Sequence, residues 1–406
     1  MFTAAESYAK EQDTVDPLAP YRKRFYIPEG IIYLDGNSLG LLSRDAEEEI
    51  GAALRDWQTE AIDGWTQAKG ENWITYAESL SPSLARLMGA EAEEVIATGS
   101  TTLNLHQLLA TLYDPTKPQK AILTEGGIFP STSYALHSHL RLRRLEPSQF
   151  LNVVPLNENH LLDEDALIHA MTEEVQMMVL SAVLYKSGQL LDITRLSIAA
   201  HERGILIGFD CAHSVGSIPH HLHEWGVDFA FWCHYKHLNS GPGAVGGLFL
   251  HRKHHALTPG IAGWFGNRRD SQFEMELNFD PEPSAAGLQI GTTHLLSLAP
   301  VRGSLRHFDS IGMNAIRRKS LALTRFLRSL LTEIPELTLI TPEEDNRRGG
   351  HLTYTHPSAK ALTESLRNAG IVIDFRPPNL LRFAPVALYN TFTECVHTAQ
   401  KLKEIV

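Results

Sequence analysis

Residues 227–248 read VDFAFWCHYKHLNSGPGAVGGL: a continuous apolar run, then a lysine, then a turn rich in glycine. The run 227–233 has the composition of a strand buried on both faces, as in a parallel sheet covered by helices. Similar runs recur on either side of it, at 94–98 (EVIAT), 121–125 (AILTE), 175–183 (VQMMVLSAV), 205–209 (ILIGF) and 247–251. Helical patterns fall between them, at 103–113, 133–142 and 192–203. Such alternation predicts an α/β fold built on a mostly parallel sheet.

Near residue 296 the grammar changes. Residues 304–334 read as one or two long helices. Short strands follow at 338–340, 351–356, 371–375 and 381–384, with a helix at 358–369. This is the pattern of a smaller α+β domain. The expected organisation is an arm over 1–45, a large domain over 46–295 and a small one over 296–406. Pro17, Pro20 and Pro28 suggest that the arm is extended.

With 406 residues, 43% of them hydrophobic, the chain can bury a large core. The net charge of −11 and the lack of a basic run argue against nucleic acid or an anionic membrane as partner. No apolar stretch approaches the roughly 20 residues of a membrane helix, and the first 25 residues lack the apolar core of a signal peptide. Cys211, Cys233 and Cys395 are odd in number and widely spaced, which predicts a reducing compartment, most simply the cytoplasm.

Ligands of open α/β sheets bind at the carboxyl ends of the strands, so the residues after each run carry the chemistry. Gly99-Ser100-Thr101-Thr102 opens a helix, where small hydroxyls and free amides either cap the helix or cup a phosphate. Phe129 follows 121–125 and either stacks on a planar ring or fills the core. Asp210 closes a fully apolar strand, either as a helix cap or as an anion awaiting a cation. Lys236 either snorkels to water or loses its ammonium form to desolvation and becomes a nucleophile. Taken together, a phosphate cup, a strand-end carboxylate and a desolvated amine match the needs of pyridoxal 5'-phosphate.

Two motifs are set aside. Gly241-Pro242-Gly243-Ala244-Val245-Gly246 spells GxGxxG, but it precedes a strand and carries a proline, so it is no dinucleotide site. Histidines cluster at His220/His221/His223 and His251/His254/His255 without HExxH or Cys partners, which reads as solvated loops and predicts no metal.

Longer stretches carry a resemblance. Asp210-Cys-Ala-His213 and Trp232-Cys-His-Tyr235-Lys236-His-Leu-Asn239-Ser-Gly-Pro-Gly243 resemble kynureninase, a pyridoxal-phosphate enzyme of fold type I. So do Gly36-Asn37-Ser38-Leu39-Gly40, Thr101-Thr102-Leu-Asn104, Phe129-Pro130-Ser131, Gly263-Trp264-Phe265-Gly266 and Arg382-Phe-Ala-Pro-Val-Ala-Leu-Tyr389-Asn390. The resemblance spans nearly the whole chain. It implies a large cofactor domain with a seven-stranded, mostly parallel sheet and a homodimer with active sites at its interface. It also implies cleavage of the Cβ–Cγ bond of L-kynurenine or 3-hydroxy-L-kynurenine to an anthranilate and L-alanine, a step of tryptophan catabolism.

Residue by residue, the resemblance gives Lys236 as the amine that binds the cofactor and Asp210 as partner of its ring nitrogen. His213 would buttress the ring and Phe129 would stack on it. Thr101, Thr102 and Tyr235 would hold the phosphate, with Ser131, Thr132 and Ser181 at further cofactor positions. Trp264 and Thr292 would reach in from the second subunit. Arg382 would clamp the substrate carboxylate bidentately, with Asn37, Trp65 and Asn267 lining the substrate site. Tyr235 would deliver a proton, provided the backbone turns between it and Lys236, since neighbours on a strand face opposite ways. Thr132 stands where the family has Asp, and Asn267 where it has His. The alternatives are another enzyme of the class V group, such as a cysteine desulfurase or aminotransferase, and a silent cofactor-binding homologue.

Overall fold

The computed structural model describes residues 2–406. Its strands in chain order are Ile32–Tyr33 (β1), Val95–Thr98 (β2), Ala121–Glu125 (β3), Leu151–Val154 (β4), Val175–Ser181 (β5), Leu206–Asp210 (β6), Phe229–Cys233 (β7), Gly246–Leu250 (β8), Thr338–Leu339 (β9), Leu352–Thr355 (β10), Ile371–Val372 (β11), Asp374–Arg376 (β12) and Leu380–Phe383 (β13). Seven of them form one sheet in the order β2-β8-β7-β6-β5-β3-β4. All its pairings are parallel except the two made by β8, which runs antiparallel to β2 and β7. Every residue of β3, β5, β7 and β8 is buried, which is why these strands read as unbroken apolar runs. Edge strand β4 is half exposed, so its weak signal goes unread in the sequence.

The helical stretch read at 304–334 is two helices, Leu295–Ile311 and Met313–Leu331. A second core gathers the latter helix, Ala359–Asn368, Phe392–Ile405 and the sheet β12-β13-β10-β9. The strand expected at 371–375 is interrupted: β11 pairs in parallel with β1, while β12 joins β13.

The first 45 residues are not an extended arm. Phe2–Val15 is a helix, rich in Ala, Glu and Lys and free of proline, whose Ala9 belongs to the second core. Its Asp13 carboxylate accepts the Phe392 and Thr393 amides at 2.7 and 3.0 Å and so caps the last helix from outside.

The histidine clusters likewise depart from expectation, because two buried carboxylates at the amino edge of the sheet require donors. Glu94 accepts the Arg252 amide and His223 Nδ1, both at 2.9 Å, and the His223 and His251 rings stack beside it at 4.9 Å. Asp228 holds His254 at 2.8 Å and His201 at 3.0 Å, while buried His220 bonds Ser214 at 2.9 Å.

Candidate active site

At the carboxyl edge of the sheet a cavity of about 230 Å³ is enclosed by the segments that follow β2, β3, β5, β6 and β7. The helices Thr101–Leu112 and Pro130–Leu142 both begin at this cavity, and anions are favoured where helix N-termini converge. Ser100 caps the first helix, accepting the Leu103 amide at 3.4 Å. Capping therefore falls to Ser100 and leaves Thr101 and Thr102 facing the cavity, where the Thr102 hydroxyl meets that of Ser131 at 2.6 Å. Phe129 is not core: it is 40% exposed, lines the cavity and meets the Tyr185 ring edge-to-face at 5.3 Å.

Asp210 ends β6 and is buried. Its carboxylate accepts the Ala212 amide at 3.0 Å and the Thr132 hydroxyl at 3.2 Å, yet burial still raises its pKa above the usual range. Lys236 stands opposite, half-buried, and desolvation lowers the pKa of its amine. The Lys236 Nζ lies 3.0 Å from His213 Nε2, and burial drives that imidazole well below its usual pKa, so it is neutral. Among the described residues no ion pair joins Asp210 to Lys236. Each feels the other's opposite charge across the cavity without touching it, as expected of a site shaped for something between them.

The backbone does turn where the chemistry needs it. β7 stops at Cys233, Asn239 adopts φ +57°, and Tyr235 and Lys236 come to face the same cavity. The arm fixes this turn: the Gly40 amide donates to the Tyr235 carbonyl at 2.8 Å. A Cβ at Gly40 would sit 2.4 Å from the Lys236 carbonyl oxygen, so only glycine allows this approach. Burial and the neighbouring Cys233 raise the Tyr235 phenol.

Arg382 lies behind Tyr185 and outside the lining of the cavity. Its guanidinium is not a free fork. The Nε donates to Asp374 at 2.5 Å, Nη1 to the Tyr185 carbonyl at 2.7 Å and Nη2 to the Ser38 hydroxyl at 3.2 Å. Asn37 is fully buried with both amide atoms unpartnered. Burial pushes nearby Asp35 up to about 6.

The structure thus brings together Thr101, Thr102, Phe129, Ser131, Thr132, Ser181, Asp210, His213, Tyr235 and Lys236. Besides Arg382 and Asn37, it does not bring four other expected residues to this cavity within one chain. Trp65 packs edge-on against Trp73 at 5.4 Å, and Trp264 donates its indole N–H to the Gln272 carbonyl at 3.1 Å. Asn267 accepts the Asp280 amide at 3.0 Å, and Thr292 is exposed. Tyr185 and Asp374 escaped the sequence reading, since Tyr185 lies four residues beyond the end of β5 and Asp374 sits inside a stretch read as one strand. A larger groove of about 1040 Å³ lies elsewhere, around Asp163, Arg317 and Arg347, with none of these groups in its lining.

Comparison with known proteins places this geometry. Residues 316–402 match the family model described as Kynureninase C-terminal domain. The chain is 49% identical over 402 residues to the kynureninase of Geobacillus thermodenitrificans, covering 98% of this chain and 94% of that one. It is 48% identical to that of Shouchella clausii (99% and 94% covered) and 47% identical to that of Bacillus anthracis (100% and 95%). Among solved structures, a cysteine desulfurase from Thermococcus onnurineus superimposes with a TM-score of 0.79 at 16% identity, covering 95% of this chain and 97% of the other. A lysine-to-alanine mutant of C-DES, with glycine covalently linked to its pyridoxal-phosphate cofactor, gives 0.79 at 17%, with 94% and 99% covered. The structural likeness carries the fold alone, whereas sequence identity near one half over nearly the full length carries the family: this chain belongs to the kynureninases.

Proposed function

We propose that the cavity around Lys236 hydrolyses the Cβ–Cγ bond of L-kynurenine, 3-hydroxy-L-kynurenine or both, releasing an anthranilate and L-alanine. As a kynureninase the chain is a pyridoxal-phosphate-dependent hydrolase acting on a carbon–carbon bond. The observation that carries the reading is the half-buried Lys236 amine and the buried Asp210 carboxyl lining one small cavity without an ion pair between them. The residues fit the cofactor: two helix N-termini with hydroxyls for its phosphate, a buried carboxyl for its ring nitrogen and a desolvated amine for its aldehyde. When bound, pyridoxal phosphate supplies that aldehyde and a ring that accepts the electron pair released at the substrate's carbons.

The protein's own groups do the rest. Thr101, Thr102 and Ser131 anchor the phosphate, Phe129 stacks on the ring, and Ser181 and Thr132 border it. Asp210 holds the proton of the ring nitrogen. Lys236, whose ammonium form desolvation disfavours, would hold the cofactor's aldehyde and take up the substrate's α-proton, with His213 Nε2 3.0 Å from its amine. Tyr235, held by the same turn, protonates the alanine carbon. Arg382 receives the substrate carboxylate in place of the neutral Ser38 hydroxyl, and the unpartnered amide of Asn37 offers a further contact.

Trp264 and Thr292 act in the second subunit of a homodimer, and Trp65 and Asn267 border the aryl ring. Exposed Trp57, Ile62, Tyr134, Phe273 and Leu277 support such an apolar interface. Among the described residues no helix is long and apolar enough to cross a membrane, and three free cysteines fit a cytoplasmic setting. A desulfurase reading is not favoured. Cys211, Cys233 and Cys395 are all buried, and burial pushes the Cys211 thiol up to about 12, the opposite of a reactive thiolate. The test is incubation of the purified protein and pyridoxal phosphate with each substrate, following anthranilate or 3-hydroxyanthranilate by fluorescence and alanine by chromatography. Absence of both aromatic products would overturn the reading.

A further inference from the structure

Three strands finish side by side at the cavity, at Glu125 (β3), Ser181 (β5) and Asp210 (β6). The β5–β6 ladder continues to its end, Ser181 opposite Asp210, but the β3–β5 ladder stops at Leu123 opposite Met178. Beyond that point side chains replace backbone partners. The Thr124 hydroxyl donates to the Val179 carbonyl at 2.7 Å, and the Ser181 amide donates to Glu125 Oε1 at 3.2 Å. This splay lies where the chain order reverses, β3 leading to β4 on one side and β5 leading to β6 on the other. Such switch points form the crevice in which open α/β sheets bind ligands.

Glu125 does not line the cavity but reaches its wall through Ser181; it is fully buried, and its second oxygen, Oε2, has no partner. Among the described residues no Lys, Arg or His pairs with it. An ionised carboxyl buried without a cationic partner is costly, which favours its protonated form. Burial pushes Glu125 up to about 7, against its hydrogen bonds with Ser181, and the charge of Asp210 adds to the push.

We propose that Glu125 is a positioning residue of the cofactor site: its buried carboxyl spans the splay between β3 and β5, holds the Ser181 backbone in place and leaves the negative charge to Asp210. The inference rests on the pyridoxal-phosphate reading of the cavity, and it acts through Ser181 and Asp210 without touching the reacting atoms.

The test compares wild type with Glu125→Gln and Glu125→Ala. An infrared difference spectrum, wild type minus E125Q at pH 6, should show the carbonyl stretch of a protonated carboxylic acid, fading as pH rises past about 7. Pyridoxal-phosphate affinity, titrated by absorbance, should change less than about threefold in E125Q, which keeps shape and neutrality, and weaken at least about fivefold in E125A. Lack of the infrared band against a folded E125Q overturns the proposal, whatever E125A does. So does a tenfold or greater loss in E125Q with its near-ultraviolet dichroism intact, or full affinity in E125A. A wild type that takes up no pyridoxal phosphate would count against the cavity reading instead, and the infrared band does not depend on that uptake.

Discussion

Replacing Arg382 by Lys isolates the grip on the substrate carboxylate. The guanidinium is fully buried and held by Asp374, the Tyr185 carbonyl and, at the longest distance of 3.2 Å, the Ser38 hydroxyl. That last acceptor is neutral, so an incoming carboxylate displaces it with gain. Lysine keeps the positive charge and spares Asp374 from being left unpaired, but one ammonium cannot span Asp374, the Tyr185 carbonyl and a substrate at once. The charge-assisted bond to the substrate at the Ser38 position is then lost, about 2 kcal/mol or roughly 30-fold in kcat/KM. The loss should appear in KM, because the carboxylate is gripped alike before and during bond cleavage. Steady-state kinetics on kynurenine and on its decarboxylated amine make the assay. Wild type should disfavour the amine by a similar factor, and R382K should treat the two compounds nearly alike. An equal loss on both would locate the damage in the fold around Asp374 and refute the carboxylate role.

Other outcomes follow from the same geometry. Lys236→Ala should leave no borohydride-reducible attachment of the cofactor, checked by peptide mapping, and a reduced adduct at another lysine would displace Lys236 from its role. Gly40→Ala forces a Cβ to 2.4 Å from both the Lys236 carbonyl and Asn239 Oδ1 and should cost about 1–3 kcal/mol in urea unfolding, with a larger fall in activity. Wild-type stability and turnover together would show that the arm does not set the Lys236 turn. Asp228→Asn should cost about 2–3 kcal/mol at neutral pH, at or below the usual range for a broken buried pair because His201 and Lys253 are about a third exposed. Burial opposes ionisation of Asp228, but hydrogen bonds from His201, His254 and Lys253 outweigh it and hold its pKa below the usual range. That stability is present above the unfolded carboxyl pKa of about 3.9 and is lost as pH falls below it, so wild type should shed its advantage over D228N in acid melts below about pH 4. A constant difference down to pH 2 would disprove the linkage.

The sequence by itself determined the strand succession and the groups at strand ends. An apolar run buried on both faces is a local property, and a carboxylate or lysine closing one is conspicuous because it is costly to bury. Asp210 and Lys236 were legible on that ground, and Glu125, closing AILTE, carried the same signal without being singled out. The helix Phe2–Val15 was hidden by the prolines that follow it, and edge strand β4 by its half-exposed composition. Only the tertiary structure decided the rest. Asp374 meets Arg382 through the antiparallel register of β12 and β13, and Gly40 reaches the Tyr235 carbonyl across nearly 200 residues of chain. Glu94 and Asp228, both buried, draw histidines from separate loops into hydrogen bonds. These contacts depend on which backbone segments the packed sheet brings within hydrogen-bonding distance, and no periodicity or strand-end pattern along the chain encodes that.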